Sequence, residues 1–225
     1  IDEIAPVIFS KERVVTYNSH RILNNANINP IEPADDGDQS RWPFLQKWLN
    51  QLFANSKKHD TILYFYAWLK RFYTAVLERE TAQGQALLLV GPTNKGKSLL
   101  SNKVISALVG GFADASDYLS GQTRFNKDLA RVATWVIDDT TSAASFQDQR
   151  RATELIKKSV ANPRIEYHAK YVDAVSVPWA GRVVFSTWMP TACQLYPLWI
   201  PVIVISSWPC ELVILPPATS RPTLL

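Results

Sequence analysis

The sequence predicts an α/β fold: a parallel sheet flanked by helices, with a small helical domain before it. Three short apolar segments, at residues 87–90, 131–137 and 181–187, are separated by stretches with helical spacing. This alternation is typical of parallel strands joined by crossover helices. The first segment runs into a glycine-containing loop that opens a helix, which is the second observation behind the prediction.

Composition limits the class of protein. The 225 residues are 47% hydrophobic and 20% charged, as in a soluble globular chain. A net charge of +4 permits a polyanionic partner without requiring one. The two cysteines, Cys193 and Cys210, lack metal-ligand spacing, and the apolar run at 198–208 is too short to cross a bilayer. We therefore expect a cytoplasmic protein without a membrane segment.

Residues 1–38 are interpreted as the end of an upstream module and a linker, because the chain starts at Ile1 and no chemistry is evident there. A short strand is predicted at 13–17, and the asparagine-rich stretch at 18–29 is predicted to be loop. A helical domain follows at 39–82. Its first helix, capped by Ser40 with Pro43 in the first turn, reaches about residue 55, and its second spans about 60–80.

Residues 83–189 are assigned to the core of the fold, which begins with LLLVGPTNKGKS at 87–98. The pattern G-x-x-x-x-G-K-[ST] is a phosphate-binding loop, whose amide groups and following helix (here 99–108) favour phosphate oxygens. Lys97 is expected to contact the β- and γ-phosphates of ATP, and Ser98 to ligate Mg²⁺. The residues assigned to nucleotide binding are Gly91, Pro92, Thr93, Asn94, Lys95, Gly96, Lys97, Ser98 and Leu99.

The second strand delivers two carboxylates about 40 residues after the loop, at Asp138 and Asp139. This is the expected Walker B position. We assign Asp138 to Mg²⁺ and Asp139 to orienting or deprotonating the attacking water, a role more often given to Glu in related ATPases. The stretch at 113–126 between the two motifs is polar, and no element is predicted there.

A hairpin with a basic tip comes next. After a short helix at 152–161, alternating residues predict strands at 164–167 and 171–177, with His168-Ala169-Lys170 between them. The third core strand at 181–187 follows.

The order of these parts resembles the superfamily 3 helicases of viruses, phages and plasmids, which belong to the AAA+ branch of phosphate-loop ATPases. The resemblance covers about residues 40–187 and is greatest to the helicase half of phage and poxvirus-type primase-helicases. It implies a homo-oligomer, expected to be a hexameric ring, in which the hairpin grips single-stranded DNA or RNA through Lys170 and His168.

The chain departs from the family pattern in two places. The family places an asparagine after the third strand, where this sequence has Trp188. The family's arginine finger should lie further on, and the only downstream arginine is Arg221. Because of these two departures, one expectation is that this chain binds ATP and hydrolyses it poorly.

Residues 190–225 form an anomalous tail. Seven of the 14 prolines lie in it, with only two charged residues, so no helix or strand is predicted there. Back-translation of residues 188–208 in another frame allows an ordinary, charge-bearing sequence. We hypothesise an out-of-frame translation; a genuine proline-rich tail is the alternative.

The sequence therefore predicts an ATP- and Mg²⁺-dependent enzyme, a helicase or translocase of phage or viral DNA replication. Two alternatives stay open. One is a phosphate-loop motor without helicase activity, which would not need Lys170. The other is an inactive nucleotide-binding remnant of a prophage gene.

Overall fold

The computed structural model describes residues 1–53, 61–138, 146–171, 173–187 and 202–206. The chain opens with a three-stranded sheet of β1 (Glu3–Ala5), β2 (Val14–Tyr17) and β3 (His20–Asn24). β3 runs parallel to β1 and antiparallel to β2. The prediction of loop throughout 18–29 is wrong for β3. Asn18 and Ser19 both adopt positive φ, 48° and 68°, which makes a two-residue hairpin turn of type I′ and pairs β2 with β3.

The loops around this N-terminal sheet are bonded to Arg79, which directly follows the helix Thr61–Glu78. The guanidinium of Arg79 donates hydrogen bonds to the carbonyls of Ile8 at 3.0 Å and Ile28 at 2.7 Å. Burial lowers the pKa of Arg79 from its usual value. The hydrophobic residues of the N-terminal sheet belong to the same continuous core as those of the main sheet. The division at residue 38 stays a prediction.

Two predicted helices are confirmed as α1 (Pro43–Phe53) and α2 (Thr61–Glu78). They pack through aromatic side chains, with the rings of Phe53 and Phe65 stacked at 4.9 Å. Ser40 was expected to cap α1, and this expectation is wrong. Its hydroxyl donates to Asp38 at 2.6 Å, and residues Gln39–Arg41 form a separate 3-10 turn, so α1 begins at Pro43.

The remaining elements build the core. Its strands are β4 (Ala86–Val90), β5 (Phe112–Asp114), β6 (Thr134–Asp138), β7 (Arg164–Tyr167), β8 (Val175–Pro178), β9 (Arg182–Thr187) and β10 (Val202–Ser206). Its helices are α3 (Lys97–Leu99), α4 (Ser106–Leu108), α5 (Ser116–Ser120) and α6 (Phe146–Ala161), with a π-helical segment, Leu100–Ile105, joining α3 to α4 and a 3-10 turn, Leu129–Arg131, before β6. None of the helices in the described ranges is both long and apolar enough to cross a membrane.

The main sheet has the order β10-β4-β9-β6-β5, and all its strands are parallel. The predicted parallel sheet flanked by helices is therefore confirmed. β9 lies between β4, which leads into the phosphate loop, and β6, which ends at Asp138. The carboxyl ends of these three strands meet at one edge of the sheet. This arrangement brings the phosphate loop and Asp138 close together.

The sheet has two strands more than the three predicted. β5 was missed because it is only three residues long and overlaps the start of a polar stretch, 113–126, which also contains α5. The expectation that the tail holds no strand is wrong for β10. The five residues VIVIS between Pro201 and Pro209 are long enough to pair in parallel with β4 at the edge of the sheet. The reading frame of the tail stays a hypothesis, and residues 188–201 and 207–225 lie outside the described residues.

A buried cation, the guanidinium of Arg182, holds the amino end of β9 in place. Arg182 is 2% exposed and donates hydrogen bonds to the carbonyls of Ala180 at 2.7 Å, Gly181 at 3.1 Å and Ala82 at 2.8 Å. Its guanidinium lies 5.3 Å from the ring centroid of Phe72 on α2. Arg182 therefore joins β9 to both the segment before β4 and the helical pair.

Candidate functional site

The phosphate loop leaves β4 at Gly91 and enters α3 at Lys97. The amide of Gly91 donates a hydrogen bond to the carbonyl of Thr187 at 3.0 Å, so the loop starts at the end of β9. Asn94 and Gly96 have positive φ values of 60° and 91°. These left-handed residues curl the backbone, as the motif requires.

Lys97 is buried in its own loop. It is 8% exposed, and its ammonium donates hydrogen bonds to the carbonyls of Gly91 and Pro92, both at 2.8 Å. These contacts hold the ammonium group against the first two residues of the phosphate loop. The position is consistent with its assigned role and leaves the role itself a prediction.

Ser98 and Asp138 come together across the sheet edge. The hydroxyl of Ser98, at the start of α3, donates to the carboxylate of Asp138, at the end of β6, with 2.7 Å between the oxygens. A hydroxyl and a carboxylate are oxygen ligands, which Mg²⁺ prefers. The donor set therefore fits the predicted cation. Asp139, the other predicted catalytic carboxylate, lies outside the described residues.

A cavity of about 630 Å³ opens at this edge, within the range of small-molecule sites. Seven of the nine residues assigned to nucleotide binding line it. Gly91 and Pro92 do not; they hold Lys97 instead. The lining consists of Thr93, Asn94, Lys95, Gly96, Lys97, Ser98, Leu99 and Asp138.

A tryptophan outside the predicted motifs lies beside the phosphate loop. Trp48 of α1 lies against Gly96, so closely that a β-carbon at Gly96 would be 2.9 Å from its ring. Leu99, one helical turn after Gly96, is 51% exposed on the same side of α3. The apolar periodicity of α1 predicted that Trp48 is buried. No feature of the sequence indicated that Trp48 contacts Gly96.

The predicted hairpin is confirmed as β7 and β8, which pair antiparallel from Arg164↔Pro178 to Tyr167↔Val175. Its second strand begins at residue 175 rather than 171, so the tip is longer than expected. Lys170 is exposed, and its ammonium lies 5.1 Å from the ring centroid of Tyr171, a residue 91% exposed. His168 is half-buried, with its ring 5.4 Å from that of Phe125.

Asn126 holds the base of the hairpin tip. It is 2% exposed, and its side chain donates to the carbonyl of Glu166 at 2.6 Å and accepts from the amide of His168 at 2.7 Å. The amide of Asn126 in turn donates to the carbonyl of His168 at 3.1 Å. This clamp joins segments 40 residues apart and was not visible in the sequence.

Comparison with known proteins gives a family match and a fold match. A family model described as a family of unknown function, DUF5906, matches residues 89–194, from β4 into the tail. No curated protein matches the sequence.

Among solved structures, the apo NrS-1 C terminal region (305-718) is similar, with a TM-score of 0.62, 13% identity and coverage of 97% of this chain. The A form apo structure of the same region has a TM-score of 0.61, 13% identity and coverage of 90% of this chain. The chain spans about half the length of these structures, 50% and 46% respectively. JCV helicase bound to a small molecule gives a TM-score of 0.42 at 16% identity, covering 76% of this chain and 46% of that one, too low to compare folds. The likeness to the NrS-1 region shows a shared fold.

Proposed function

We propose that this chain is an ATP- and Mg²⁺-dependent motor of the superfamily 3 helicase type, which moves along single-stranded DNA during phage or viral replication. The observation that carries the proposal is the 2.7 Å contact between Ser98 and Asp138 beside the buried ammonium of Lys97. Two adjacent residues of the loop, Lys97 and Ser98, meet a carboxylate from 40 residues later at one cavity, and this supports a phosphoryl-transfer site.

Catalysis would consist of positioning and charge stabilisation. The loop amides and the amino end of the helix beginning at Lys97 would bind the phosphates of ATP. Lys97 would exchange the carbonyls of Gly91 and Pro92 for the β- and γ-phosphates. Mg²⁺, held by Ser98 and Asp138, would offset the charge that develops on the phosphoryl oxygens. Asp139 is proposed to orient the attacking water.

The hairpin is the proposed nucleic-acid contact. Lys170 is an exposed cation on the tip and would follow the phosphate backbone without selecting bases. His168 is anchored through its backbone to Asn126 and would add a second, weaker contact. We propose a homo-oligomeric ring, expected to be hexameric, because the resemblance implies that a neighbouring subunit supplies the arginine finger.

The test is the ATPase rate of the full chain with and without single-stranded DNA. Lys97→Ala should lower turnover at least a hundredfold, because it removes a cation aimed at the transferred phosphoryl group. Unchanged turnover in this variant would refute the site assignment. The same assay with single-stranded RNA, and on a chain whose tail after Thr187 is restored to the other frame, tests the polymer preference and the frameshift hypothesis.

A second variant separates a helicase from another motor. Lys170→Ala should abolish most of the stimulation by single strands and leave the unstimulated rate within twofold. Lys47→Ala, which removes an exposed lysine of α1, is the matched control and should keep the stimulation. Turnover of the unchanged chain without any stimulation by single strands would favour a non-helicase motor, and absence of nucleotide binding in the unchanged chain would favour the inactive remnant.

A further inference from the structure

A buried hydroxyl, that of Ser186, lies next to the proposed cation ligands and has no partner among the described residues. Ser186 is 2% exposed on β9, and its Oγ has no hydrogen-bond partner in the part of the chain that the structure describes. Buried hydroxyls in folded proteins are nearly always paired, so each exception calls for an explanation.

The register of the sheet places this hydroxyl beside Asp138. Ser186 is paired with Asp138 of β6 on one side and with Leu89 of β4 on the other. Residues in register on neighbouring parallel strands project to the same face, and the strands lie about 4.8 Å apart. The Ser186 hydroxyl is therefore one strand spacing from the side chain that accepts the Ser98 hydroxyl.

We propose that Ser186 is a positioning residue for the Mg²⁺ site: in the loaded enzyme its hydroxyl donates a hydrogen bond to the carboxylate of Asp138. The proposal rests on the proposed function. A carboxylate has about four lone-pair directions, so Asp138 can accept from Ser98 and Ser186 and still face the cation. Two donors, Ser98 on α3 and Ser186 on β9, would fix the orientation of the carboxylate, and such supporting partners raise metal affinity.

Thr134 provides a matched control. It is 0% exposed on β6, and its Oγ1 also has no partner among the described residues. It projects to the same face as Asp138 but lies four residues earlier, about 13 Å along the strand. Removing either hydroxyl deletes a buried, unpaired polar atom, and only one of the two lies beside the cation ligands.

The experiment compares the full chain with Ser186→Ala and Thr134→Val without measuring turnover. A slowly hydrolysed ATP analogue is added, and the Mg²⁺ concentration that gives half of the Mg²⁺-dependent rise in melting temperature is determined. Binding of Mn²⁺ in place of Mg²⁺, followed by electron paramagnetic resonance, gives a second readout. Melting without ligands checks that both variants fold.

Ser186→Ala should need about ten times more Mg²⁺ than the unchanged chain, and Thr134→Val should stay within twofold of it. Affinity for the analogue in excess chelator should be the same in all three chains. Equal Mg²⁺ requirements in Ser186→Ala and Thr134→Val would overturn the inference and leave the proposed function standing. If the unchanged chain shows no effect of the nucleotide, the proposed function is refuted, and this inference with it.

Discussion

Replacement of the buried Arg182 by methionine tests whether hydrogen bonds or charge burial dominate at the base of β9. Burial, followed by repulsion from Arg71, lowers the pKa of Arg182 from its usual value to about 10. This drop corresponds to about 3 kcal/mol against the charged form, which methionine would recover. Against this gain, three carbonyls would lose a charged donor. Each buried carbonyl that is left without a partner lowers the free energy of unfolding by about 1–3 kcal/mol.

The cost of leaving three carbonyls unpaired therefore exceeds the free energy that is recovered when the charge is no longer buried. We expect Arg182→Met to lower the free energy of unfolding by about 3 kcal/mol, and the melting temperature by about 10 °C for a chain of this size. Chemical denaturation and calorimetry measure both quantities. Arg71→Met is the control, because Arg71 is exposed, and we expect a change within about 0.5 kcal/mol. A chain with Arg182→Met as stable as the original would show that charge burial dominates and would refute the reasoning.

Three further substitutions test other contacts. Gly181→Ala should lower the free energy of unfolding by about 3 kcal/mol, because its β-carbon would lie 2.3 Å from both the carbonyl oxygen of Ala133 and the ring of Trp179; an unchanged urea midpoint would contradict this. Gly96→Ala should weaken binding of a fluorescent ATP analogue about tenfold, because φ is 91° and Trp48 blocks the β-carbon. Gly37→Ala, whose nearest contact is 3.7 Å away, should bind normally, and equal affinities would count against the loop geometry. Asn126→Ala should release the hairpin tip and reduce stimulation of ATPase turnover by single-stranded DNA at least fivefold, while the unstimulated rate stays within twofold; a parallel fall in both rates would mean that Asn126 supports the whole fold instead.

Local pattern was sufficient for the elements whose chemistry is written in consecutive residues. The run at 87–98 specified a strand, a loop and a helix start, because glycine spacing and apolar periodicity are properties of neighbouring residues. The hairpin strands β7 and β8 followed from alternation in the same way. Short elements in polar or proline-rich surroundings, β5 and β10, gave too weak a local signal, since their stability comes from pairing with the sheet.

The sequence by itself determined the fold class, the phosphate loop and the position of Asp138 at the end of a strand. Only the tertiary structure decided the strand order, and with it the meeting of Ser98 with Asp138 and the place of Ser186 between β4 and β6. It also decided that Trp48 covers Gly96 and that Asn126 holds the hairpin tip. Within the described residues, it buried Arg182 with carbonyls and no carboxylate as hydrogen-bond partners. The contacts of Ser98 with Asp138, of Asn126 with Glu166 and of Arg182 with Ala82 join residues about 40 to 100 positions apart. Periodicity and motif spacing describe how a segment relates to its own neighbours, whereas such contacts depend on how separate segments pack.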